Sequence, residues 1–103
     1  MEITKSLVQT ESCDENLKAF EAEFLVDRLE ELEKISLDSL DFDSLKAIGH
    51  KWKGFSKPYG FNCLAELGIE LENNAKEKDE EGVRLTLESV RSYLRLKKES
   101  LSL

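Results

Sequence analysis

The chain has 103 residues, of which 40% are hydrophobic and 36% charged, with only 5 Gly and 1 Pro, a composition typical of a helical globular protein rather than a disordered or fibrous one. This length suffices to bury one hydrophobic core, so we expect a single domain spanning residues 1–103. The net charge of -7 disfavours nucleic acids and anionic membranes as partners, because both would be repelled at long range, and it favours a protein partner.

The first long helix is predicted over residues 17–35, where apolar side chains recur at helical spacing. Ser12 followed three residues later by Glu15 matches a capping box at its start. Upstream, Ile3, Leu7 and Val8 predict a short helical turn or two that lies over one end of the fold. The apolar stripe of the long helix is Leu17, Phe20, Phe24, Leu25, Leu29, Leu32 and Ile35.

The next stretch, SLDSLDFDS, is rich in Ser and Asp and predicts a loop in which Asp41 or Asp43 caps a second helix. That helix should end near Lys57, because the residue before Pro58 is pushed away from helical geometry. Its predicted buried stripe is Leu45, Ile48, Trp52, Phe55 and Tyr59.

The segments after Gly60 predict a third and a fourth helix, each with apolar residues at helical spacing. These residues are Phe61, Leu64, Leu67, Leu71 and Ala75 in the third helix, and Val83, Leu87, Val90, Leu94 and Leu101 in the fourth. Four amphipathic helices with short connections predict an all-α fold, an antiparallel up-down-up-down four-helix bundle with its core at roughly 14–98 and a short extra N-terminal helix. Because one bundle can bury all these stripes, we expect a monomer.

The cysteine spacing and the hydropathy of the chain indicate the cellular compartment in which we expect the protein. Cys13 and Cys63 lack the CxxC or Cys/His spacing of a zinc or redox site, so we expect reduced thiols. No apolar run approaches the ~20 residues needed to cross a bilayer, and the N-terminal MEITKSLVQTE has no apolar core like that of a signal peptide. We therefore expect a cytoplasmic protein with no membrane partner.

The single histidine of the chain, His50, is predicted to face away from the core. At about 100° per residue, it projects about 170° from the centre of the apolar stripe of the second helix. The same face carries Asp43, Lys46, Ala47, Lys53, Gly54 and Lys57. Each exposed lysine adds only ~0.2–1 kcal/mol to the free energy of binding an anion. The lysines would therefore position an anion beside the imidazole without forming a tight binding site.

Gly54 is the other unusual residue of this face. A glycine inside a helix costs ~1 kcal/mol relative to alanine, and on an exposed face core packing does not explain it. Its missing side chain would let the surface of another protein come close to His50.

These residues resemble the histidine-containing phosphotransfer (HPt) domain of multistep two-component signalling. The family pattern is His-x-x-Lys-Gly, a small residue or two, a glycine ten positions after the histidine, and a leucine-spaced helix ending in Leu-Glu. The matching residues, about a third of the chain with their intervening positions, are His50, Lys53, Gly54, Ser56, Gly60, Leu64, Leu67, Leu71 and Glu72, and Asp41 stands where the family commonly has an Asp opening the helix. Three positions depart from the pattern, namely Gly49 in place of alanine, Lys51 in place of a small hydroxyl residue and Trp52 in place of leucine.

The resemblance implies that His50 accepts a phosphoryl group from an aspartyl phosphate on a receiver domain and passes it to a second receiver. Lys53 would steady the phosphoryl oxygens and Gly54 would admit the receiver, whose docking surface would also include Lys46, Ala47 and Lys57. Partners would be receiver domains of response regulators or of a hybrid histidine kinase. Magnesium would come from the receiver, so the resemblance implies a phosphocarrier with no metal or cofactor of its own, not an enzyme with independent turnover.

Three other functions compete with this interpretation. A helical adaptor would dock on a receiver without transferring phosphate, but the retention of His50 argues against it. The dimerisation domain of a histidine kinase usually has an acidic residue after its histidine, where this chain has Lys51. A hydrolase would need a second catalytic group that the sequence does not place.

Overall fold

A computed structural model describes residues 2–103, and every regular element in that range is helical, which confirms the all-α class. None of these helices has the length and apolar character needed to cross a membrane. The elements are α1 (Lys5–Gln9), a 3-10 helix (Glu15–Phe20), α2 (Glu21–Glu33), α3 (Phe42–Phe55), a second 3-10 helix (Lys57–Tyr59), α4 (Asn62–Lys76) and α5 (Glu80–Ser100).

The helices share one hydrophobic core. Helix α4 packs against both α3 and α5, while α2 and α1 each pack on α5. The largest fully buried side chains are Trp52, Phe61 and Tyr93, and burying a side chain of this size stabilises the fold by about 1.5–3 kcal/mol. Phe24 of α2 stacks on Tyr59 with ring centroids 4.3 Å apart, which ties α2 to the turn after α3.

The predicted stripes of the last two helices are confirmed, since all their residues are buried apart from the half-buried Leu101. The stripe of α3 is wrong at one position. Phe55 is 40% exposed because α3 ends at this residue, and the buried side chain at the end of the helix is that of Ser56. Helix α3 therefore ends two residues before the predicted Lys57, and Pro58 lies inside the 3-10 turn.

The first long helix, predicted over residues 17–35, is divided into two elements and begins at a different cap. Residues 15–20 form a 3-10 helix and only 21–33 are α-helical. The predicted capping box is wrong: the side chain of Asp14, not Ser12, accepts the capping hydrogen bond, from the backbone N–H of Asn16 at 2.9 Å. The backbone N–H of Asp14 donates to the Pro58 carbonyl at 2.8 Å, so this entry is held by the turn after α3, a contact that local sequence does not reveal. Phe20, predicted to be buried, is 52% exposed at the junction of the two helices.

The cap of α3 is confirmed at Asp41. Its Oδ1 accepts from the Ser44 backbone N–H at 3.2 Å, and its Oδ2 accepts from the Ser44 hydroxyl at 2.9 Å. The bond from the Ser44 backbone, followed by that from the Ser44 side chain, lowers the pKa of Asp41 and keeps it charged at the positive end of the helix dipole.

The N-terminal segment is held by a buried carboxylate. Glu11 accepts hydrogen bonds from the Tyr93 hydroxyl at 2.7 Å, the Lys97 ammonium at 2.9 Å and the backbone N–H of Cys63 at 2.8 Å. Lys97 also donates to the carbonyl of Gly60 at 2.6 Å, so the N-terminal segment, the turn at Gly60 and α5 meet at one ion pair. This buried pair fixes the predicted N-terminal turn, observed as α1, over one end of the core, where Val8 is 2% exposed.

Helices α3 and α4 cross in backbone contact. A Cβ atom added at Gly49 would lie 2.6 Å from the carbonyl oxygen of Gly68 and 2.7 Å from the amide nitrogen of Glu72. One added at Gly68 would lie 2.7 Å from the Gly49 oxygen and 2.8 Å from the Lys53 nitrogen. Because Gly49 faces Glu72 and Lys53 faces Gly68, the two helices run in opposite directions, and only glycine fits at either crossing position.

Gly49→Ala should destabilise the fold by about 1–3 kcal/mol, because α3 and α4 must separate to admit the methyl group. The same substitution at Gly54, in the same helix, should stabilise it by about 0.5–1 kcal/mol, because a Cβ there meets nothing within 4 Å and alanine favours the helix. Urea unfolding followed by the fluorescence of the buried Trp52 checks both values. Equal effects of the two substitutions would contradict the close crossing.

Candidate functional site

His50 projects from α3 into solvent, with 69% of its side chain exposed. Two features fix this orientation. Trp52 is fully buried two positions later, and Gly49 lies against α4 immediately before it. The imidazole therefore stands on a rigid helix face while remaining accessible to another protein.

Glu72 of α4 lies between His50 and Lys53. Its Oε2 is 2.8 Å from His50 Nδ1, and its Oε1 is 3.2 Å from Lys53 Nζ. The two bonds use different oxygens of one carboxylate, so the three side chains form a cluster, which we call the His–Glu–Lys cluster. The α3–α4 crossing creates this cluster, because the amide of Glu72 is itself one of the atoms that a Cβ at Gly49 would meet.

The charge state of Glu72 determines which ring nitrogen of His50 is available. Desolvation would raise the pKa of the Glu72 carboxyl, but the hydrogen bonds from Lys53 and His50 outweigh it and lower that pKa. A carboxylate only accepts hydrogen bonds, so Nδ1 of His50 must carry the proton that it shares with Glu72. In the neutral ring, Nε2 then keeps its lone pair. The second nitrogen has no hydrogen-bond partner among residues 2–103.

Lys51 belongs to a different cluster. Its Nζ is 2.5 Å from Glu31 Oε2, and Glu31 Oε1 accepts from the Trp52 indole N–H at 3.1 Å and pairs with Arg28. Desolvation would raise the pKa of Glu31, but the hydrogen bonds from Lys51 and Trp52 and the charge of Arg28 lower it on balance. Lys51 thus ties α3 to α2 and does not contribute to the His–Glu–Lys cluster.

The other predicted site residues flank the cluster, and among the described residues their side chains form no hydrogen bond or ion pair with it. Lys46 and Ala47 are exposed on α3, one turn before His50, and Gly54 is exposed one turn after it with open space where a Cβ would stand. Lys57 lies in the 3-10 turn beyond the end of α3, so the helical projection that placed it on the face of His50 does not apply to it. Lys53, which the resemblance assigns to the phosphoryl oxygens, is paired with Glu72.

Glu72 is the residue of the candidate site that the sequence did not predict. It was identified only as the end of a Leu-Glu pattern, because a distance of 22 residues along the chain conceals its contact with His50. Within residues 2–103, no group of three or more His, Cys, Asp or Glu side chains is placed to hold a metal ion.

Comparisons of the chain with protein-family models, with curated proteins and with solved structures give no significant match. The interpretation of the site accordingly depends on its own geometry.

The neutral imidazole of His50 should be protonated at Nδ1 in the wild-type protein. Glu72→Ala should shift it toward the Nε2-protonated tautomer, because the acceptor that holds the Nδ1 proton is removed. Long-range ¹H–¹⁵N correlation spectra of the single histidine distinguish the two tautomers of the neutral ring. Glu70→Ala, on an exposed carboxylate of the same helix, is the control. An unchanged tautomer in Glu72→Ala would show that the contact does not determine the proton position.

Proposed function

We propose that this chain is a histidine phosphotransfer protein that takes a phosphoryl group from an aspartyl phosphate on one receiver domain and passes it to the aspartate of another. In this proposal helices α2 to α5 form the antiparallel four-helix bundle of such a protein, and it acts as a cytoplasmic monomer. The observation that carries the proposal is the exposed His50 ring, whose Nδ1 is held by Glu72 while Nε2 has no hydrogen-bond partner among residues 2–103.

The arrangement suits in-line phosphoryl transfer. The Nε2 lone pair attacks phosphorus, the bond from phosphorus to the aspartyl oxygen breaks, and the receiver carboxylate leaves with that electron pair. The imidazole becomes positively charged on forming the N–P bond, and the carboxylate of Glu72 stabilises that charge through the Nδ1–H bond. In the reverse step a carboxylate oxygen of the second receiver attacks phosphorus, and the neutral imidazole leaves.

Lys53 would respond to the charge of the incoming group. A phosphoryl group brings about −1.5 to −2 charges, which compete with Glu72 for the Lys53 ammonium. The 3.2 Å bond is long for a charge-assisted contact, and 41% of the lysine side chain is exposed, so it can turn from the carboxylate to the phosphoryl oxygens. Lys53 therefore remains the proposed phosphate-stabilising residue. Magnesium and the acidic residues that bind it would be supplied by the receiver.

Gly54 and its surroundings would form the docking surface. The open space above Gly54 lets a receiver loop reach His50, and the exposed Lys46 and Ala47 border the same approach. This account explains a helix glycine that no packing contact requires, in contrast to Gly49 in the same helix.

Transfer to His50 is tested with a phosphorylated receiver domain. The wild-type protein should acquire an acid-labile phosphoryl label and His50→Gln should acquire none, because the amide has no nucleophilic lone pair comparable to that of imidazole. The substituted residue is exposed, so the stability of the variant should stay within about 0.5 kcal/mol of the wild type by urea unfolding. Label retained by the variant would refute the assignment. Receivers that bind both proteins but label neither would favour the adaptor function.

Gly54→Gln should slow this transfer by about tenfold or more while leaving the fold intact, because its side chain holds the receiver away from Nε2. Gly54→Ala is the matched control, and its single methyl group should slow transfer far less. Rapid-quench measurements at several receiver concentrations give the transfer rate and the apparent affinity. Equal rates for the glutamine variant and the wild type would remove the proposed role of Gly54.

A further inference from the structure

Helix α5 carries a row of arginines that the proposed transfer does not use. Three of the four arginines in the chain, Arg84, Arg91 and Arg95, fall within an arc of about 40° on this helix. The row is about 16 Å long, given a rise of 1.5 Å per residue. It is distinct from the His–Glu–Lys cluster, which is built on α3 and α4.

The row borders a groove of 440 Å³ between α5 and the connection from α2 to α3. Leu37 of that connection and Leu87 of α5 supply its apolar lining. Arg84 Nη1 donates to the carbonyl oxygen of Leu37 at 2.5 Å, so one guanidinium is already fixed across the groove. Leu37 keeps 37% of its surface exposed, which leaves an apolar contact available beside the charges.

The two remaining guanidinium groups are exposed and lack an anionic partner within residues 2–103. Arg84 has only a distant contact with Glu80, at 4.0 Å, and Arg91 and Arg95 have no ion pair in that range. Several exposed lysines also lack an ion pair in that range, but only on α5 do unpaired arginines line a groove together. In a chain with 22 acidic residues, this cationic groove is a local reversal of the overall charge.

We propose that this groove, the arginine groove, binds an acidic and extended segment of a partner protein. Arg91 and Arg95 lie one helical turn apart, about 6 Å, which is close to the ~6.6 Å between alternate side chains of an extended strand. Two alternate Asp or Glu residues would thus meet the guanidinium groups of Arg91 and Arg95, each of which can bind a carboxylate through two hydrogen bonds. Glu88, between Arg84 and Arg91, repels a carboxylate at the middle of the segment and favours an apolar residue against Leu37.

The net charge of the chain favours an acidic protein segment over nucleic acids or anionic membranes as the occupant of the groove. Nucleic acids and anionic membranes present extended negative surfaces that the charge of -7 repels, whereas a short acidic segment interacts only with the groove. Because the groove and the His–Glu–Lys cluster lie on different helices, an acidic segment can anchor one partner while His50 remains accessible to a receiver.

The proposal is tested by fluorescence anisotropy with a labelled nine-residue peptide that has Glu at alternate positions except for a central Leu. The probe should bind saturably at low salt and lose most of its affinity at about 300 mM salt, where exposed charges are screened. A peptide with Gln in place of every Glu should not bind. No phosphoryl donor is present, so the outcome is independent of the proposed transfer.

The double variant Arg91→Glu/Arg95→Glu should bind the probe about tenfold or more weakly, a loss of ~1.4 kcal/mol or more. Lys18→Glu/Lys76→Glu makes the same change in net charge outside the groove and should weaken binding much less. Circular dichroism checks that both variants are folded. Equal weakening in both, or no saturable binding to the wild type up to about 1 mM peptide, would overturn the proposal. Binding of a single-stranded oligonucleotide or of phosphatidylserine vesicles in preference to the peptide would also overturn it.

Discussion

The backbone contact between α3 and α4 is the constraint on which the candidate site depends. Gly49 and Gly68 allow the two helices to approach until an added Cβ would lie 2.6 to 2.7 Å from the opposite backbone. At that separation Glu72 reaches both His50 and Lys53 from the neighbouring helix. A small outward shift of α4 would stretch the 2.8 Å bond to His50 beyond useful length, because hydrogen bonds weaken steeply with distance. The same contact thus contributes to stability and sets the proton position on the imidazole.

The surface around His50 on α3 and the arginine groove on α5 differ in their ion pairing. Around α3, Lys51 and Lys53 are bound to Glu31 and Glu72, so the lysine that shares Glu72 with His50 is paired rather than free. On α5 the arginines are left largely unpaired. Under the two proposals, the first arrangement suits an anion that competes with Glu72 for Lys53, and the second suits contact with the carboxylates of a partner.

Local patterns predicted the helical class, the stripes of α4 and α5, the cap at Asp41 and the outward orientation of His50. Helical spacing determines these features within a few turns, so the sequence contains enough information for them. The entry to α2 could not be predicted in this way, because Asp14 is held by Pro58 from the far side of the core. The predicted burial of Phe55 was wrong because it assumed that α3 continues beyond this residue, whereas α3 ends there.

In the candidate site, too, some features follow from local helical spacing and others depend on tertiary contacts. His50 and Gly54 stood out through their helix position, whereas Glu72 and the pairing of Lys53 depend on the α3–α4 crossing. In the sequence Gly49 is only a departure from the resembled pattern, because its packing role depends on Gly68, which lies opposite it on α4. Contacts between residues about 20 positions apart are set by tertiary packing, which a single sequence does not display.

The central claim is that Glu72 holds the proton on Nδ1 of His50 and leaves Nε2 as the phosphoryl acceptor. The most direct measurement locates the N–P bond after transfer from a phosphorylated receiver, by ³¹P–¹⁵N coupling in protein labelled with ¹⁵N at histidine. The account predicts a single phosphoramidate at Nε2 of His50. A phosphoryl group on Nδ1, or on any other side chain, would contradict it.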